Sequence, residues 1–270
     1  MNPLTNQPFE EIGFKLELTH DGSPTLRLLT SGESMHHFDG AAGESWYVYG
    51  LPLRQAFLSQ ESGNFKVASI GLGLGYIEML WVLLKAQFAS KSIQNKLFEM
   101  TLDSFEKNDL LQQNFLNWIT DKKPPLQNTA AFYDLAFKKL VSVHSQLEIS
   151  HSLIDFKKHF DNEINGEKLH FNQDLLLYSG SPQWNFICFD AFSKNTDQDL
   201  WTSDYLEHFL HKYAAEDCVF TTYAATTKLK NVLQKHQFEL IKRLGYSGKR
   251  ECTLALRGKF MDDAAIFRTF

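Results

Sequence analysis

The sequence has few cysteines and no long apolar run. Three cysteines occur in 270 residues, Cys188, Cys218 and Cys252, each beside an apolar segment typical of a strand. An odd number without close pairing argues against a disulfide framework or a zinc site and predicts buried thiols in a reducing compartment. The longest apolar segment, Met79 to Leu84, is too short to cross a bilayer. The first residues have neither a basic start nor an apolar stretch, so we expect a cytoplasmic protein without a membrane partner.

The chain also lacks an excess of positive charge, since its formal net charge is −5. The charge is unevenly distributed, however. From Thr226 onward ten Lys and Arg residues stand against four acidic residues, which leaves +6 on that segment and −11 on the remainder. Such asymmetry is typical of a protein that presents one face to an anionic partner, although chance surface composition produces the same pattern.

Hydrophobic residues make up 43% of the chain and charged residues 22%, which is typical of a globular protein. Two alternating segments around Asp21-Gly22-Ser23-Pro24 predict an N-terminal β-hairpin within residues 14–30. Beyond residue 60, strands alternate with helices, which predicts a mostly parallel sheet with helices on both faces. The last two strands, Phe238 to Leu244 and Cys252 to Arg257, are separated only by a turn and must pair antiparallel.

This order predicts an α/β fold with a Rossmann-like sheet, in one domain over residues 1–270. Residues 1–60 would form a hairpin and loop extension. Residues 101–165, in which polar and apolar residues are mixed at helical spacing, would form a helical insertion. The second strand of the sheet is predicted at Ile93 to Glu99 and a central strand at Trp184 to Asp190.

Three glycines follow the first strand of this sheet. The buried-strand pattern of Val67 to Ile70 runs into Gly71, Gly73 and Gly75, and a strong helix former comes next. Glycine lets the backbone turn sharply and pass close to a bulky group. The GxGxG spacing differs from the GxGxxG of dinucleotide binders and lacks the GK[ST] ending of ATP-binding loops. It favours a nucleotide-like cofactor, and the alternative is a tight strand-to-helix turn without a ligand.

Two acidic residues end predicted parallel strands. Glu99 ends the second strand, 24 residues after Gly75, and Asp190 ends the central strand. Ligands of doubly wound sheets bind at the carboxyl ends of the strands, where an acid after the second strand suits the two hydroxyls of a ribose. The alternatives are a solvated strand-end acid for Glu99 and a helix N-cap or turn residue for Asp190.

A pair of histidines has the spacing of metal ligands. His208 and His211 lie three apart on a predicted helix, so both can face one side. A third ligand is not near them in the sequence. We therefore predict surface or capping histidines and no metal ion.

The GxGxG turn, the strand-end acids and the final antiparallel strand together resemble the class I S-adenosyl-L-methionine-dependent methyltransferases. More specific stretches are similar to the MnmC-type tRNA methyltransferases: Thr19-His20-Asp21-Gly22-Ser23-Pro24 with Gly40-Ala41-Ala42-Gly43, Phe189-Asp190-Ala191-Phe192-Ser193 with Leu200-Trp201, Thr222-Tyr223-Ala224-Ala225, and Gly245-Tyr246-Ser247-Gly248-Lys249-Arg250-Glu251. The resemblance covers most of the chain outside 101–165. It implies methylation of the primary amine of 5-aminomethyluridine at the tRNA wobble position, giving 5-methylaminomethyluridine. It also implies the stand-alone form, without the flavin-dependent oxidase domain of some members.

The resemblance implies a set of contacts to the cofactor, S-adenosyl-L-methionine. They are Gly71, Gly73, Gly75, Glu99, Asp174 and Asp190. The glycines would approach the methionine end, Glu99 would bind the ribose and Asp174 the adenine. Asp190 would also be catalytic, because it would lie beside the reacting methyl group and accept a hydrogen bond from the acceptor amine.

Further residues would contact the tRNA. They are Glu33, His36, Glu44, Lys249 and Arg250. The first three belong to a loop that would close over the pocket, and the two cations would hold a backbone phosphate. The plainer alternatives are loop-fixing contacts for the former and exposed hairpin charges for the latter.

The chain departs from the family pattern at several positions. Ile77 replaces an asparagine after the glycines, Lys194 replaces a proline after Phe192-Ser193, and Thr227 and Lys230 replace a glycine and an arginine. These changes are compatible with cofactor binding but leave the acceptor open. The alternatives are a methyltransferase of a small molecule and a cofactor-binding module that has lost catalysis.

Overall fold

The computed structural model describes residues 8–60, 63–90, 98–143, 152–249 and 251–268. The strands are β1 (Phe14–Leu18), β2 (Pro24–Leu28), β3 (Gly63–Ile70), β4 (Phe98–Phe105), β5 (Leu169–Asn172), β6 (Trp184–Phe189), β7 (Ala214–Thr222), β8 (Glu239–Ile241) and β9 (Thr253–Arg257). The α-helices are α1 (Ala41–Ser45), α2 (Leu51–Ser59), α3 (Tyr76–Ser90), α4 (Asp109–Ile119), α5 (Ala130–Val143), α6 (Leu153–Asn165), α7 (Ser203–Tyr213), α8 (Thr227–Lys235) and α9 (Ala264–Phe267). A π-helical turn, Trp46–Gly50, joins α1 to α2, and 3-10 turns occupy Glu10–Ile12, Leu175–Leu177, Gln198–Trp201, Tyr246–Gly248 and Gly258–Met261.

In the described part of the chain, seven strands form one sheet in the order β5-β4-β3-β6-β7-β9-β8. The first five in this order are parallel, whereas β9 pairs antiparallel with both β7 and β8. The order reverses between β3 and β6, which pair directly, with Val67 opposite Phe186. A separate antiparallel hairpin joins β1 to β2. The predicted α/β fold, with its mostly parallel Rossmann-like sheet, antiparallel final strands and N-terminal hairpin, is confirmed.

The central strands are buried on both faces, because successive side chains of a strand point to opposite sides of the sheet. On one face Val67 and Phe186 belong to a core that also contains the buried residues of α3. On the other face Ile187 and Phe189 pack in a second core with residues of α7 and α8. The carboxyl ends of β3 and β6 are thereby held between two packed layers.

The second strand of the sheet begins later than the sequence analysis predicts. Since β4 runs from Phe98 to Phe105, residues assigned to the helical insertion form a strand, and Glu99 lies at its start, not at its end. The alternating burial of Met100, Leu102 and Ser104 is the period of a strand, and the polar residues between them resemble a helical mixture. Residues 93–97 lie outside the described residues. Helical structure begins at Asp109, with α4, and continues in α5 and α6.

Buried hydroxyl groups fasten the N-terminal extension to the sheet. The Tyr76 hydroxyl donates to the Pro24 carbonyl at 2.8 Å, and Thr221 Oγ1 donates to the Val48 carbonyl at 2.7 Å. These bonds satisfy polar groups that packing removes from water. They fix the chain at Pro24 and at Val48, on either side of residues 31–44.

Candidate active site

A cavity of about 280 Å³ lies at the carboxyl ends of β3, β4 and β6. Its wall includes the residue that follows each of these strands: Gly71, Glu106 and Asp190. Met35 and His36 line it from the N-terminal extension. This is the reversal point of the strand order, where doubly wound sheets bind their ligands.

Two of the three predicted glycines face this cavity. Gly71 has φ +97°, and a Cβ there would lie 2.7 Å from the Asp190 carbonyl oxygen. Gly73 has φ +54°, and its Cβ would lie 3.0 Å from the Met35 sulfur. A Cβ on Gly75 would instead meet the Phe115 ring at 2.1 Å, so this glycine allows α4 to pack against the turn.

The acid beside the cavity after β4 is Glu106. Its Oε2 accepts a hydrogen bond from the Gly73 amide at 3.2 Å, and its Oε1 accepts one from the Asn108 amide at 2.9 Å. Burial raises the pKa of this carboxyl group. Glu106 is not among the predicted site residues, because the predicted strand ends too early; the alternation from Met100 to Phe105 is the signal that identifies it.

Glu99 is not at the cavity. It lies opposite Asn64 at the beginning of the β3–β4 pair and forms an ion pair with Lys168. This pairing lowers the pKa of the Glu99 carboxyl group. The strand-end position predicted for Glu99 is therefore wrong, and Glu106 occupies it.

Asp174 and the apolar residue after it line the other side of the cavity. Asp174 Oδ1 accepts a hydrogen bond from the Leu176 amide at 2.9 Å and caps the short turn that begins at Leu175. Leu175 and Phe105 contribute apolar surface to the same wall. Asp174 is predicted to bind the adenine. It lines the cavity, and its contact with adenine stays a prediction.

Asp190 directly follows the central strand and lines the cavity. Its backbone amide donates to the Ile70 carbonyl at 2.9 Å, and its Oδ1 accepts a hydrogen bond from the Tyr49 hydroxyl at 2.5 Å. Burial raises the pKa of Asp190 well above its ordinary value, while the bond from Tyr49 acts in the opposite direction. Tyr49 is not among the predicted site residues, since no local pattern links residues 141 positions apart.

Residues of the loop from 31 to 40 cover the cavity. Glu33 accepts hydrogen bonds from the Ser193 amide at 2.7 Å and from the Thr196 hydroxyl at 2.6 Å, so it joins this loop to the segment after β6. His36 lies beside Thr25, with 3.0 Å between Nδ1 and Oγ1, and burial lowers its pKa to about 4. Both residues line the cavity. Glu33 joins two loops there, and His36 contributes an imidazole that is uncharged at neutral pH.

Glu44 and Lys249 form an ion pair with each other, and neither of them lines the cavity. The Lys249 amine donates to Glu44 Oε1 at 2.8 Å and lies 5.7 Å from the Tyr223 ring centre. Glu44 Oε2 also accepts the His37 amide at 2.5 Å. Both charges influence the pKa of Asp190, Glu44 raising it and Lys249 lowering it. Arg250 lies outside the described residues.

Three sequence predictions concern groups away from this cavity. The cysteines are free and buried, as expected. Within the described ranges no three His, Cys, Asp or Glu side chains are arranged to hold a metal ion, and His208 and His211 belong to no such group. None of the helices in these ranges is both long and apolar enough to cross a membrane.

The residues of the cavity fit S-adenosyl-L-methionine. Gly71 and Gly73 place backbone without a side chain on the cavity wall, Glu106 offers carboxylate oxygens for ribose hydroxyls, and Phe105 and Leu175 offer apolar surface for a purine ring. The fold and the position of this cavity resemble those of the class I S-adenosyl-L-methionine-dependent methyltransferases.

Comparisons with known proteins agree with this class. A family model described as S-adenosyl-L-methionine-dependent methyltransferase matches residues 170–258. The tRNA 5-methylaminomethyl-2-thiouridine biosynthesis bifunctional protein MnmC of Campylobacter hominis is 25% identical over 221 residues, which are 80% of this chain and 28% of that protein. The MnmC protein of Azoarcus sp. is 24% identical over 255 residues, 91% of this chain and 35% of that protein. The chain thus spans about a third of the length of these curated relatives.

A solved structure shares the whole fold. MnmC2 from Aquifex aeolicus superposes with a TM-score of 0.59 at 20% identity, over 96% of this chain and 76% of that chain. The predicted resemblance to the MnmC-type methyltransferases is confirmed. The family model over residues 170–258 supports a methyltransferase that uses S-adenosyl-L-methionine as its cofactor.

Proposed function

We propose that this protein transfers a methyl group to the primary amine of 5-aminomethyluridine at the wobble position of tRNA. The observation that carries the proposal is the Asp190 carboxyl group, which lines the cavity beside the glycine turn. The names of the relatives from Campylobacter hominis and Azoarcus sp. support a modified tRNA as the acceptor. A tRNA substrate would place the protein in the cytoplasm.

The cofactor would be held by backbone and carboxylate groups. Gly71 and Gly73 would allow its methionine end to approach, Glu106 would accept hydrogen bonds from its ribose, and Asp174 would bind its adenine. Ile77 cannot donate a side-chain hydrogen bond, so the methionine end would be bound by other groups. When bound, S-adenosyl-L-methionine supplies an electrophilic methyl group on a sulfonium ion.

The acceptor amine must be neutral to attack, because an ammonium ion has no lone pair. Asp190 would accept a hydrogen bond from the arriving ammonium and take up its proton. The raised pKa of Asp190 supports this role, since it brings the basicity of the carboxylate closer to that of an amine. His36 would remain uncharged at neutral pH, given its pKa of about 4, and would not repel the ammonium.

Charged residues lie on the cavity wall, where Lys107 stands beside acidic residues, and on the neighbouring N-terminal loop. Asp39 accepts a hydrogen bond from Ser247 and contacts His20, and Lys107 pairs with Asp197. Lys249 has three N–H donors, of which one is bonded to Glu44, so a backbone phosphate would share this ammonium group with Glu44.

A small-molecule amine is the second candidate acceptor. The loop after Asp190 differs from the family pattern at Lys194, and its Ser193 and Thr196 are bound to Glu33. These hydrogen bonds join the loop over the cavity to the segment after β6 and would leave less room for an acceptor, which favours a compact one. The same cofactor site and the same use of Asp190 would serve either substrate.

The deciding experiment is nucleoside analysis of tRNA from a deletion strain. We expect 5-aminomethyluridine to accumulate, the wild-type gene to restore its methylated form, and Asp190→Asn to fail to restore it. Purified Asp190→Asn should bind S-adenosyl-L-methionine within about twofold of wild type and lose at least about a hundredfold in methyl transfer. Unchanged wobble nucleosides, together with normal cofactor binding, would exclude the tRNA reaction and leave the small-molecule reaction.

A further inference from the structure

A π-helical turn lies directly behind Asp190. The segment Trp46–Gly50 interrupts the helix that would otherwise run from α1 into α2. Such turns are rare because they weaken the helical hydrogen bonds, and they occur frequently at functional sites. A Cβ on Gly50 would lie 2.3 Å from the Trp46 ring, so glycine at this position is what lets the turn close.

The turn is also fixed to the sheet. Thr221 of β7 donates its hydroxyl to the Val48 carbonyl at 2.7 Å, and both residues are buried. The bond occupies a carbonyl within the irregular segment and anchors the residue before Tyr49. Tyr49 thus lies between a backbone carbonyl that is bonded to the sheet and a glycine that packs against the Trp46 ring.

This geometry brings the Tyr49 hydroxyl to Asp190. Tyr49 is 2% exposed, and its hydroxyl donates to Asp190 Oδ1 at 2.5 Å. Burial and the Asp190 carboxylate both raise the pKa of Tyr49 well above its ordinary value, so the phenol keeps its proton and remains the donor. Since Oδ1 is occupied, an acceptor amine would meet the other oxygen, Oδ2.

We propose that Tyr49 is a positioning residue, whose hydroxyl holds the Asp190 carboxyl group turned so that Oδ2 faces the acceptor amine. The role rests on the proposed function of Asp190, but the hydrogen bond itself is testable without an acceptor. Tyr49 acts through Asp190, since it lies behind that side chain. The competing interpretation is a tyrosine that only fills the core.

Tyr49→Phe separates the two interpretations, because it keeps the ring and removes the hydroxyl. The groups that act on the pKa of Asp190 besides Tyr49 are Glu44, Glu78 and Lys249, and the nearby titratable groups Cys188 and Tyr223 respond to it. All of these remain in the variant. The bond from Tyr49 lowers the pKa of Asp190, so its removal should raise that pKa.

The experiment measures the Asp190 pKa by carboxyl ¹³C NMR, assigned with Asp190→Asn, and the pH dependence of kcat/KM for methyl transfer. In Tyr49→Phe we expect a higher Asp190 pKa, an acid limb moved to higher pH and a kcat lower by about ten- to a hundredfold. Cofactor affinity should stay within about twofold. Tyr213→Phe is the matched control. The Tyr213 hydroxyl donates to the Tyr178 carbonyl, with a distance of 3.0 Å, and Tyr213 does not line the cavity. This variant should change neither the Asp190 titration nor the pH dependence of kcat/KM.

Replacing Tyr49 by 3,5-difluorotyrosine tests the sign. This residue keeps the shape and strengthens the donor, so the Asp190 pKa should move downward, opposite to the effect of Phe. An Asp190 titration that is the same in all three forms would overturn the proposal, whatever happens to stability. If the wild-type protein methylates no tRNA, the tRNA reaction fails, yet the NMR titration still decides whether the Tyr49 hydroxyl controls Asp190.

Discussion

Glu78 should make the stability of this protein fall as pH rises. It lies in the first turn of α3, is 0% exposed, and accepts a hydrogen bond from the Ser104 hydroxyl at 2.7 Å. A helix N-terminus favours a negative charge by only about 1 kcal/mol. Burial outweighs this effect and raises the pKa of Glu78 from 4.5 to about 7. The folded chain therefore keeps a proton that the unfolded chain releases.

The sign and the size of the effect follow from this difference. The stabilising contribution is fully present below pH 4.5 and is lost as pH rises through about 7. The loss amounts to about 3 kcal/mol of unfolding free energy. Glu78→Gln keeps the shape and does not titrate. Its stability relative to wild type should therefore rise by that amount between these pH values and stay constant above them.

Urea unfolding followed by circular dichroism, at pH steps from 4.5 to 8.5, measures the difference between the two proteins. Any constant offset at pH 4.5 reports the fit of the amide and is subtracted. Glu10→Gln, which changes an exposed glutamate, serves as the control and should run parallel to wild type. Parallel curves for Glu78→Gln would show that Glu78 does not retain its proton in the folded state.

Two further predictions concern the cofactor. Glu106→Gln should weaken S-adenosyl-L-methionine binding by about tenfold, because a charged acceptor for the ribose hydroxyls becomes neutral. Glu99→Gln, which affects only the distant ion pair with Lys168, should leave the affinity unchanged. Titration calorimetry measures both affinities, and the reverse order would refute the assignment of Glu106 to the ribose. Glu33→Ala should speed cofactor dissociation by about tenfold in stopped-flow measurements, because the loop loses its bonds to Ser193; an unchanged rate would mean that this loop does not retain the cofactor.

The parts of the site that lie next to a strong local pattern could be predicted from sequence. The turn at Gly71 and the acid at Asp190 each follow an uninterrupted apolar strand, so their place at the carboxyl edge of a parallel sheet was accessible. Glu106 was not predicted, because β4 alternates polar with apolar residues, and the sequence before β4 does not mark clearly where the strand begins. The strand ends six residues later than predicted, at Phe105 instead of Glu99, and this difference moves the predicted acid from one end of the strand to the other.

Tyr49 illustrates a different limit. Its function depends on a contact across 141 positions and on a π-helical turn. Neither the glycine at position 50 nor the tryptophan at position 46 marks such a turn in the sequence. Contacts between single side chains that are distant in sequence depend on how the whole chain packs, so they cannot be predicted from residue spacing.

The hydrogen bonds of the glycine turn explain which kind of cofactor it accepts. The amides of Gly71 and Leu72 donate to the Phe105 carbonyl at 3.0 and 3.1 Å, that of Gly73 donates to Glu106, and that of Gly75 donates to the Leu72 carbonyl at 2.7 Å. A phosphate-binding loop needs such amides to be directed at the ligand. Here they are used within the protein, and a carboxylate stands where a phosphate would be repelled. The turn therefore suits a cofactor that has a nucleoside but no phosphate, and its glycines serve close approach and packing rather than anion binding.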